Sequence, residues 1–575
     1  MKFRLIQVLP HVAHASARNV RDLIDMKLNF NFRVLTCDAW RVAAACGVAM
    51  LLVACSGVSL PEPVLAKPRV SKPRADALRN ETLASALRDA QALPLAEASA
   101  VTEDFLRALQ AEVRLHDWKK PIEITGAAGS WELSFDSKGL ESQGKPEWSP
   151  GLFDRLIPTG EMEVGGYRRI LQGEGAGAAL VLAFEDIEKL RQMYAFRPRN
   201  GLYLPGTAIL EFGEAASPAG PTPVRLRIFN TLEERSARLG ERSVPLAWNT
   251  TAALEFNLQN PYLLKNGLNG LLRPDRRTED LGLFGMGPYD RNKIPVVFVH
   301  GLNSDPHIWK NIINEIEGDP VLSARYLPLL FLYPTGMPVP GAAARLRESL
   351  ALYRNHCDPD GNDAGFDKML VVGHSMGGLL TRLQVIDPGD ELAKAFFTRP
   401  ISEIPWLSDD DLKSLEKTLK FAPQPFVKRV VFVAVPHQGS EVADLGLVRF
   451  AIRLIRLPVD SMKFMAQAVV EDPSLLNPEL LQYHSLGLCS VDMLSPEHPY
   501  FKALKTCPMT VPYHSIIGDR GTNKGPASSD GVVPYWSSHV KGAHSEKIVP
   551  HGHSCTAESD TVDELLRIMK EHLVQ

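Results

Sequence analysis

Gly373-His374-Ser375-Met376-Gly377 is the stretch of this chain whose residue types invite covalent chemistry. A serine hydroxyl is a poor nucleophile near neutral pH. It becomes a good one when an imidazole accepts its proton and a buried carboxylate holds the imidazole's tautomer and stabilises the cation that forms. Both partners follow in the chain: Asp530 in Ser528-Ser529-Asp530-Gly531, then His553 in Gly552-His553-Ser554. Each has a rival. Asp519 lies nearer the end of the apolar run Val511–Gly518, and His551 stands just before His553.

Such groups must be held by rigid elements. The apolar run Lys368–Val372 before Ser375 reads as a strand and Met376–Ile386 after it as a helix, so the serine is expected on a tight, strained strand-to-helix turn that its flanking glycines permit. The neighbouring sequence alternates in the same way. Strands are expected at Ile294–Val299, near Pro328–Tyr333, at Lys428–Val435 and at Val511–Gly518, with helices near Ala342–Asn355 and at Asp560–Leu573. Fully apolar strands alternating with helices predict a parallel sheet covered on both faces, with the loops of Asp530 and His553 above its edge. Asp390–Phe421, where Ser408 can cap a helix with Asp411 at its third position, and Ser440–Thr510, mostly of helical pattern, read as cap material. Phe450, Ile452, Leu454, Ile455 and Leu457 there either pack on the sheet or line a channel.

Five stretches then carry a resemblance: Val-Val-Phe-Val-His300-Gly-Leu-Asn303, Val-Gly-His-Ser375-Met-Gly-Gly, Val-Pro436-His-Gln-Gly-Ser440, Ser529-Asp530-Gly-Val-Val and Gly552-His553-Ser554. In that order they resemble the α/β-hydrolase superfamily of lipase/esterase type, over Ile294–Gln575, about half the chain. The resemblance implies a mostly parallel sheet with helices on both faces and a helical cap. It implies a serine carboxylic-ester hydrolase working through an acyl-enzyme on lipidic or apolar esters, without a cofactor. Ser375 would be the nucleophile, His553 the base and Asp530 the acid, because Asp530-Gly-Val-Val with Ser537-Ser538-His539 resembles bacterial true lipases. The oxyanion donors would be the N–H groups of Met376 and Leu302, with Asn303 the alternative to Leu302; His300 is read as holding that loop. Many lipases of this pattern bind calcium through an acidic residue two positions after the histidine, where this chain has Cys555. Two other readings use the same residues: acyl transfer to an alcohol, and an idle fold that binds a lipid or protein partner.

At 575 residues the chain exceeds one core. Its 67 acidic and 63 basic residues, a net charge of −4 without a long basic run, exclude nucleic acid as a partner. Val42–Ala54, preceded by Arg33 and Arg41 and ending Leu52-Val53-Ala54-Cys55, is too short to span a bilayer and resembles a bacterial lipoprotein signal with Cys55 as lipid anchor. Met26-Lys27 would begin a signal of ordinary length. Ser56 resembles the sorting signal for the outer membrane, which implies an envelope protein anchored there and facing the periplasm. The expected organisation is leader and signal 1–55, proline-rich tether 56–75, a β-rich accessory domain 76–285 and the catalytic domain 286–575, with cap insertions at about 388–425 and 440–510. The accessory domain opens with helices at Asp76–Ala92 and Thr102–Leu115. From Gly126 to about Asn260 it is expected to be antiparallel, from the period of two at Trp131–Phe135 and Val224–Ile228, with strands at Leu180–Phe184 and Ala208–Phe212 and loops at Gly173–Gly177 and Ala215–Pro223. Cys357, Cys489, Cys507 and Cys555 have no metal spacing, and an oxidising compartment would allow one or two disulfides among them.

Overall fold

The computed structural model describes residues 76–94, 97–112, 120–136, 154–160, 162–185, 196–197, 201–232, 234–239, 241–258, 282–287, 289–404, 406–440, 471–482, 492–521 and 525–574. The leader, Cys55, the tether, Cys489 and the apolar cluster Phe450–Leu457 lie outside these residues. The accessory part opens with α1 (Asp76–Ala92) and α2 (Ser99–Glu112), the second starting earlier than its apolar spacing suggests. Their inner faces, with Leu83, Leu87, Phe105 and Leu109, pack on Leu133, Leu180, Leu182 and Leu226 of a six-stranded sheet. Its order is β1-β2-β7-β6-β5-β3, from β1 (Ile122–Gly126), β2 (Gly129–Asp136), β3 (Arg155–Pro158), β5 (Ala178–Phe184), β6 (Leu202–Phe212) and β7 (Thr222–Asn230).

The expected all-antiparallel arrangement fails at one seam. Strands β2 and β7 run parallel, Trp131 opposite Thr222 and Leu133 opposite Val224. A period of two shows which face a side chain takes but not the direction of the neighbouring strand, and the long stretch through β3, β5 and β6 supplies the crossover that a parallel pair needs. The expected loop Gly173–Gly177 contributes a short strand, β4 (Gln172–Gly173), pairing with β10 (Trp248–Asn249); β8 (Ser236–Leu239) and β9 (Arg242–Pro245) form a hairpin. The part ends in a buried helix, α3 (Thr250–Leu258), rather than a strand.

The second sheet has seven strands in the order β11-β13-β12-β14-β15-β16-β17. These are β11 (Gly282–Gly285), β12 (Ile294–Val299), β13 (Tyr326–Leu332), β14 (Met369–His374), β15 (Val427–Val433), β16 (Tyr513–Gly518) and β17 (Ser545–Val549). All pairs are parallel except β11 with β13, so this antiparallel edge strand belongs to the second sheet although it precedes the expected boundary at 286. Every residue of β12, β13 and β14 is buried, as two covered faces require. One face, with Val297, Val299 and Val371, packs on α6 (Val339–Cys357) and α7 (Met376–Arg382). The other, with Val296, Phe298 and Val372, packs on α4 (Lys310–Gly318) and α10 (Ser559–Leu573). Between α4 and β13 lies α5 (Pro320–Arg325).

Helix α7 stops at Arg382, short of the expected Ile386, because Val385 and Ile386, both fully buried, pair with Thr510 and Met509 instead. In α8 (Asp409–Leu419) the Ser408 hydroxyl accepts the Asp411 N–H at 3.2 Å, the cap read from sequence. The described part of Ser440–Thr510 holds short 3₁₀ turns and one helix, α9 (Pro499–Thr506), less helix than its pattern predicts. Cys357, Cys507 and Cys555 are free thiols, so no disulfide joins any two of them.

The two parts share a core: Leu254 and Leu258 of α3 sit in one cluster with Ile312 and Ile316 of α4. A fully buried leucine contributes about 1.5–3 kcal/mol, whereas an exposed ion pair such as Arg168–Asp563 contributes at most about 1 kcal/mol, so apolar burial holds the boundary.

The serine turn rests on close backbone approaches. A Cβ on Gly377 would be driven into the carbonyl oxygens of Val299 and His300, and one on Gly378 into the Val435 side chain. Gly378→Ala should therefore destabilise the protein by about 1–3 kcal/mol, although alanine is the better helix former by roughly 1 kcal/mol. Urea unfolding checks this, and combining it with Val435→Ala should cost less than the sum of the two single changes. Additive losses would mean the two sites do not touch.

Candidate active site

Ser375 leaves β14 with φ 51° and ψ −127°, a backbone conformation that costs a residue bearing a Cβ on the order of 1–3 kcal/mol. Its N–H is held by the Val433 carbonyl at 2.9 Å, which fixes the turn against β15. The Ser375 Oγ lies 2.8 Å from His553 Nε2, and His553 Nδ1 lies 2.7 Å from Asp530 Oδ2. Ser375, His553 and Asp530 are 7%, 3% and 1% exposed, so the relay is almost entirely removed from water. The other carboxylate oxygen, Asp530 Oδ1, accepts the N–H groups of Val532 and Val533 at 2.8 and 2.6 Å. An Nδ1–H directed at the carboxylate leaves Nε2 bare to take the serine proton.

The rivals sit elsewhere. Asp519 is buried with its N–H on the Val549 carbonyl, while the carboxylate on His553 Nδ1 is that of Asp530. His551 turns toward Glu558 and Asp560, at 3.6 and 3.7 Å.

The loop after β12 packs directly on the serine turn: a Cβ on Gly301 would stand 3.0 Å from Ser375 Cβ. Among the described residues the N–H groups of Leu302 and Met376 donate no hydrogen bond, whereas that of Asn303 is taken by the Thr335 hydroxyl at 3.2 Å. His300 stacks on Tyr333 at 4.6 Å and donates from Nδ1 to the Gly301 carbonyl at 3.1 Å, and the Tyr333 hydroxyl donates to the His300 carbonyl at 2.8 Å. It holds the loop.

Sequence reasoning overlooked His374. Its Nε2 donates to the His553 carbonyl at 2.9 Å, so the residue before the serine grips the backbone of the histidine loop. The only sequence signal was its place in the serine motif. The Val435–Ser440 stretch is tied into the site as well, since the hydroxyls of Ser440, Ser537 and Ser538 donate to the carbonyls of Val532, Gly439 and Val435. These bonds stitch the loop after β15 to the one carrying Asp530.

A second Ser–His pair, Ser545 and His514 at 2.7 Å, has the opposite polarity. Arg429 donates to His514 Nε2, which leaves Nδ1–H as donor to the serine, unable to accept its proton.

Burial lowers the His300 pKa to about 4; burial, then the neighbouring His553, lowers that of His374 to about 3. Burial likewise lowers those of His514 and His572 to about 4. An unfolded histidine titrates near 6.5, so between about pH 6.5 and 4 the unfolded chain binds more protons and stability falls on acidification, by up to about 1.4 kcal/mol per pH unit for each such histidine. The urea midpoint should drop from pH 7 to pH 5, and His374→Gln should reduce that drop. A midpoint indifferent to pH in this window would contradict the neutral burial of these rings.

No protein-family model and no curated protein matches the chain. Among solved structures it is similar to a Bacillus licheniformis lipase in its mature form (16% identity, 50% of this chain and 97% of that one, TM-score 0.27). It is also similar to a Staphylococcus hyicus lipase (14%, 50% and 97%, TM-score 0.30) and to a hydrolase from Pseudomonas aeruginosa (13%, 52% and 96%, TM-score 0.26). Likeness at this level carries no argument about activity. The chain's own strand order, with one antiparallel edge strand and a serine on the turn between β14 and α7, makes its C-terminal half an α/β-hydrolase fold.

Proposed function

We propose that this protein is a serine carboxylic-ester hydrolase. The observation that carries the reading is the continuous relay Ser375 Oγ–His553 Nε2 and His553 Nδ1–Asp530 Oδ2, at 2.8 and 2.7 Å, built on a strained turn. Ser375 Oγ attacks the ester carbonyl carbon while His553 Nε2 takes its proton. The negative oxygen that results is received by the N–H groups of Leu302 and Met376, donors worth on the order of 3 kcal/mol each in such sites. Collapse expels the alcohol, which leaves with the proton from His553, and Ser375 carries the acyl group. Water, deprotonated by His553, then attacks the acyl carbon, releasing the acid and restoring the serine.

The preference for lipidic or apolar esters rests on the leader. Cys55, at the end of an apolar run with small residues before it, would carry lipid in the bacterial envelope, and the tether would leave the enzyme near membrane-partitioned substrate. Expressed with its leader, the protein should incorporate labelled fatty acid and lose the label in Cys55→Ala. Recovery of an unacylated protein cut at another site would overturn the anchor.

A fluorophosphonate should label the protein once, at Ser375, and Ser375→Ala should take no label. Asp530→Asn should lower ester turnover by on the order of 10⁴, as removal of the orienting carboxylate does in the serine protease case. Asp519→Asn should change it only a few-fold. Labelling of Ser375→Ala, or a crippled Asp519→Asn beside a mild Asp530→Asn, would overturn the assignment.

A further inference from the structure

The segment Gly165–Leu171 of the accessory part lies along α4, the helix that begins seven residues after Asn303. Asn311 on that helix is 4% exposed and every polar atom of its amide is engaged. Its Oδ1 accepts the Arg168 N–H at 2.9 Å. Its Nδ2 donates to the Ala557 carbonyl at 3.2 Å and, at the limit of hydrogen-bonding distance, to the Gly166 carbonyl at 3.5 Å. The partners fix the amide's orientation, since a backbone N–H can only donate and a carbonyl can only accept.

Ala557 closes the short turn Cys555–Ala557 that follows His553. His374 holds that loop at the His553 carbonyl and Asn311 holds it at Ala557, so the base is clamped from the serine strand on one side and from α4 on the other. The clamp on α4 is completed by the accessory part. Asn314 donates to the Arg169 carbonyl at 2.9 Å and accepts the Thr251 hydroxyl at 2.7 Å, and Thr251 in turn accepts the Leu171 N–H at 2.7 Å. Buried amides that lose such partners are costly, so the accessory part and the histidine loop share one hydrogen-bonded structure.

We infer that Asn311 is a positioning residue through which the accessory domain sets the place of His553, so that this domain is part of the active-site scaffold and not a separable binding module. The kinetic part of the inference rests on the ester-hydrolase reading; the structural part does not. A small displacement of a catalytic group can cost up to 10²-fold in rate.

The test uses the full chain with three substitutions. Asn311→Ala removes all the amide's bonds, and Asn311→Asp keeps the size and the acceptor for Arg168 while losing the donor to Ala557. Arg169→Ala removes the two side-chain bonds to Glu315 and leaves the Arg169 carbonyl on Asn314 and every bond of Asn311 in place. On a chromogenic ester both Asn311 variants should lose on the order of 10- to 10²-fold in kcat with KM within about two-fold, and Arg169→Ala should keep the wild-type values. Amide hydrogen exchange at 553–558 should quicken in both Asn311 variants and not in Arg169→Ala. If Asn311→Ala fails to fold, Asn311→Asp decides. Wild-type kcat with wild-type exchange at 553–558 in Asn311→Asp would overturn the inference. A wild-type protein that neither turns over ester nor takes a phosphonate would defeat the hydrolase reading, and the exchange data would still decide whether Asn311 holds the loop.

Discussion

The left-handed backbone of Ser375 is the constraint on which the rest of the C-terminal half depends. A residue with a Cβ keeps such a conformation only when its surroundings over-determine it. Here they do so from three sides: the Val433 carbonyl holds its N–H, Gly377 lies against the carbonyls of Val299 and His300, and Gly378 lies under Val435. Each contact comes from a strand or strand end beside β14. The central sheet is thus both the core and the jig that fixes Ser375, and its wholly buried strands, rigid by packing, serve both purposes.

The same strain recurs beside it. Asn303 and Ala434, just beyond β12 and β15, also have positive φ, at 52° and 51°. These strands flank β14 on either side, so among the described residues the non-glycine strain is concentrated past the C-terminal ends of three central strands. Each bend lies in a loop beside the serine: one follows Gly301, which packs on Ser375, and the other throws Val435 back over α7 and starts the Val435–Ser440 stretch that is stitched to the Asp530 loop.

Much of this was legible in the sequence, for physical reasons. Buried parallel strands must be apolar throughout, so Ile294–Val299, Met369–Val372 and Val430–Val433 announce themselves. A serine between glycines on a strand-to-helix turn is equally conspicuous, and Ser408 with Asp411 follows a capping rule that needs no tertiary information. What escaped notice depends on partners far away in the chain. β17 is an edge strand whose Glu546 and Lys547 face water, so no apolar run marks it. β11 is four residues long and reads as a glycine-punctuated crossing. The parallel seam of β2 with β7, the grip of His374 and the burial of Asn311 and Asn314 are invisible locally, because an amide looks the same in sequence whether it is solvated or buried.

The boundary between the two halves also bears on how the chain folds. Arg168 and Asp563 are 395 residues apart in sequence, and Asn311 and Ala557 are 246 apart. A ribosome finishes the accessory part and α4 long before the last helix exists, and until then the Asn311 amide lacks the Ala557 carbonyl and the Arg168 guanidinium lacks the Asp563 carboxylate. Contacts of such sequence separation close slowly, since a long loop must be ordered before its ends reward it. Once closed, they tie the accessory part, through the buried amides of α4, to the turn before the last helix, so that loosening either side strips those amides of partners and the two tend to melt as a single cooperative unit.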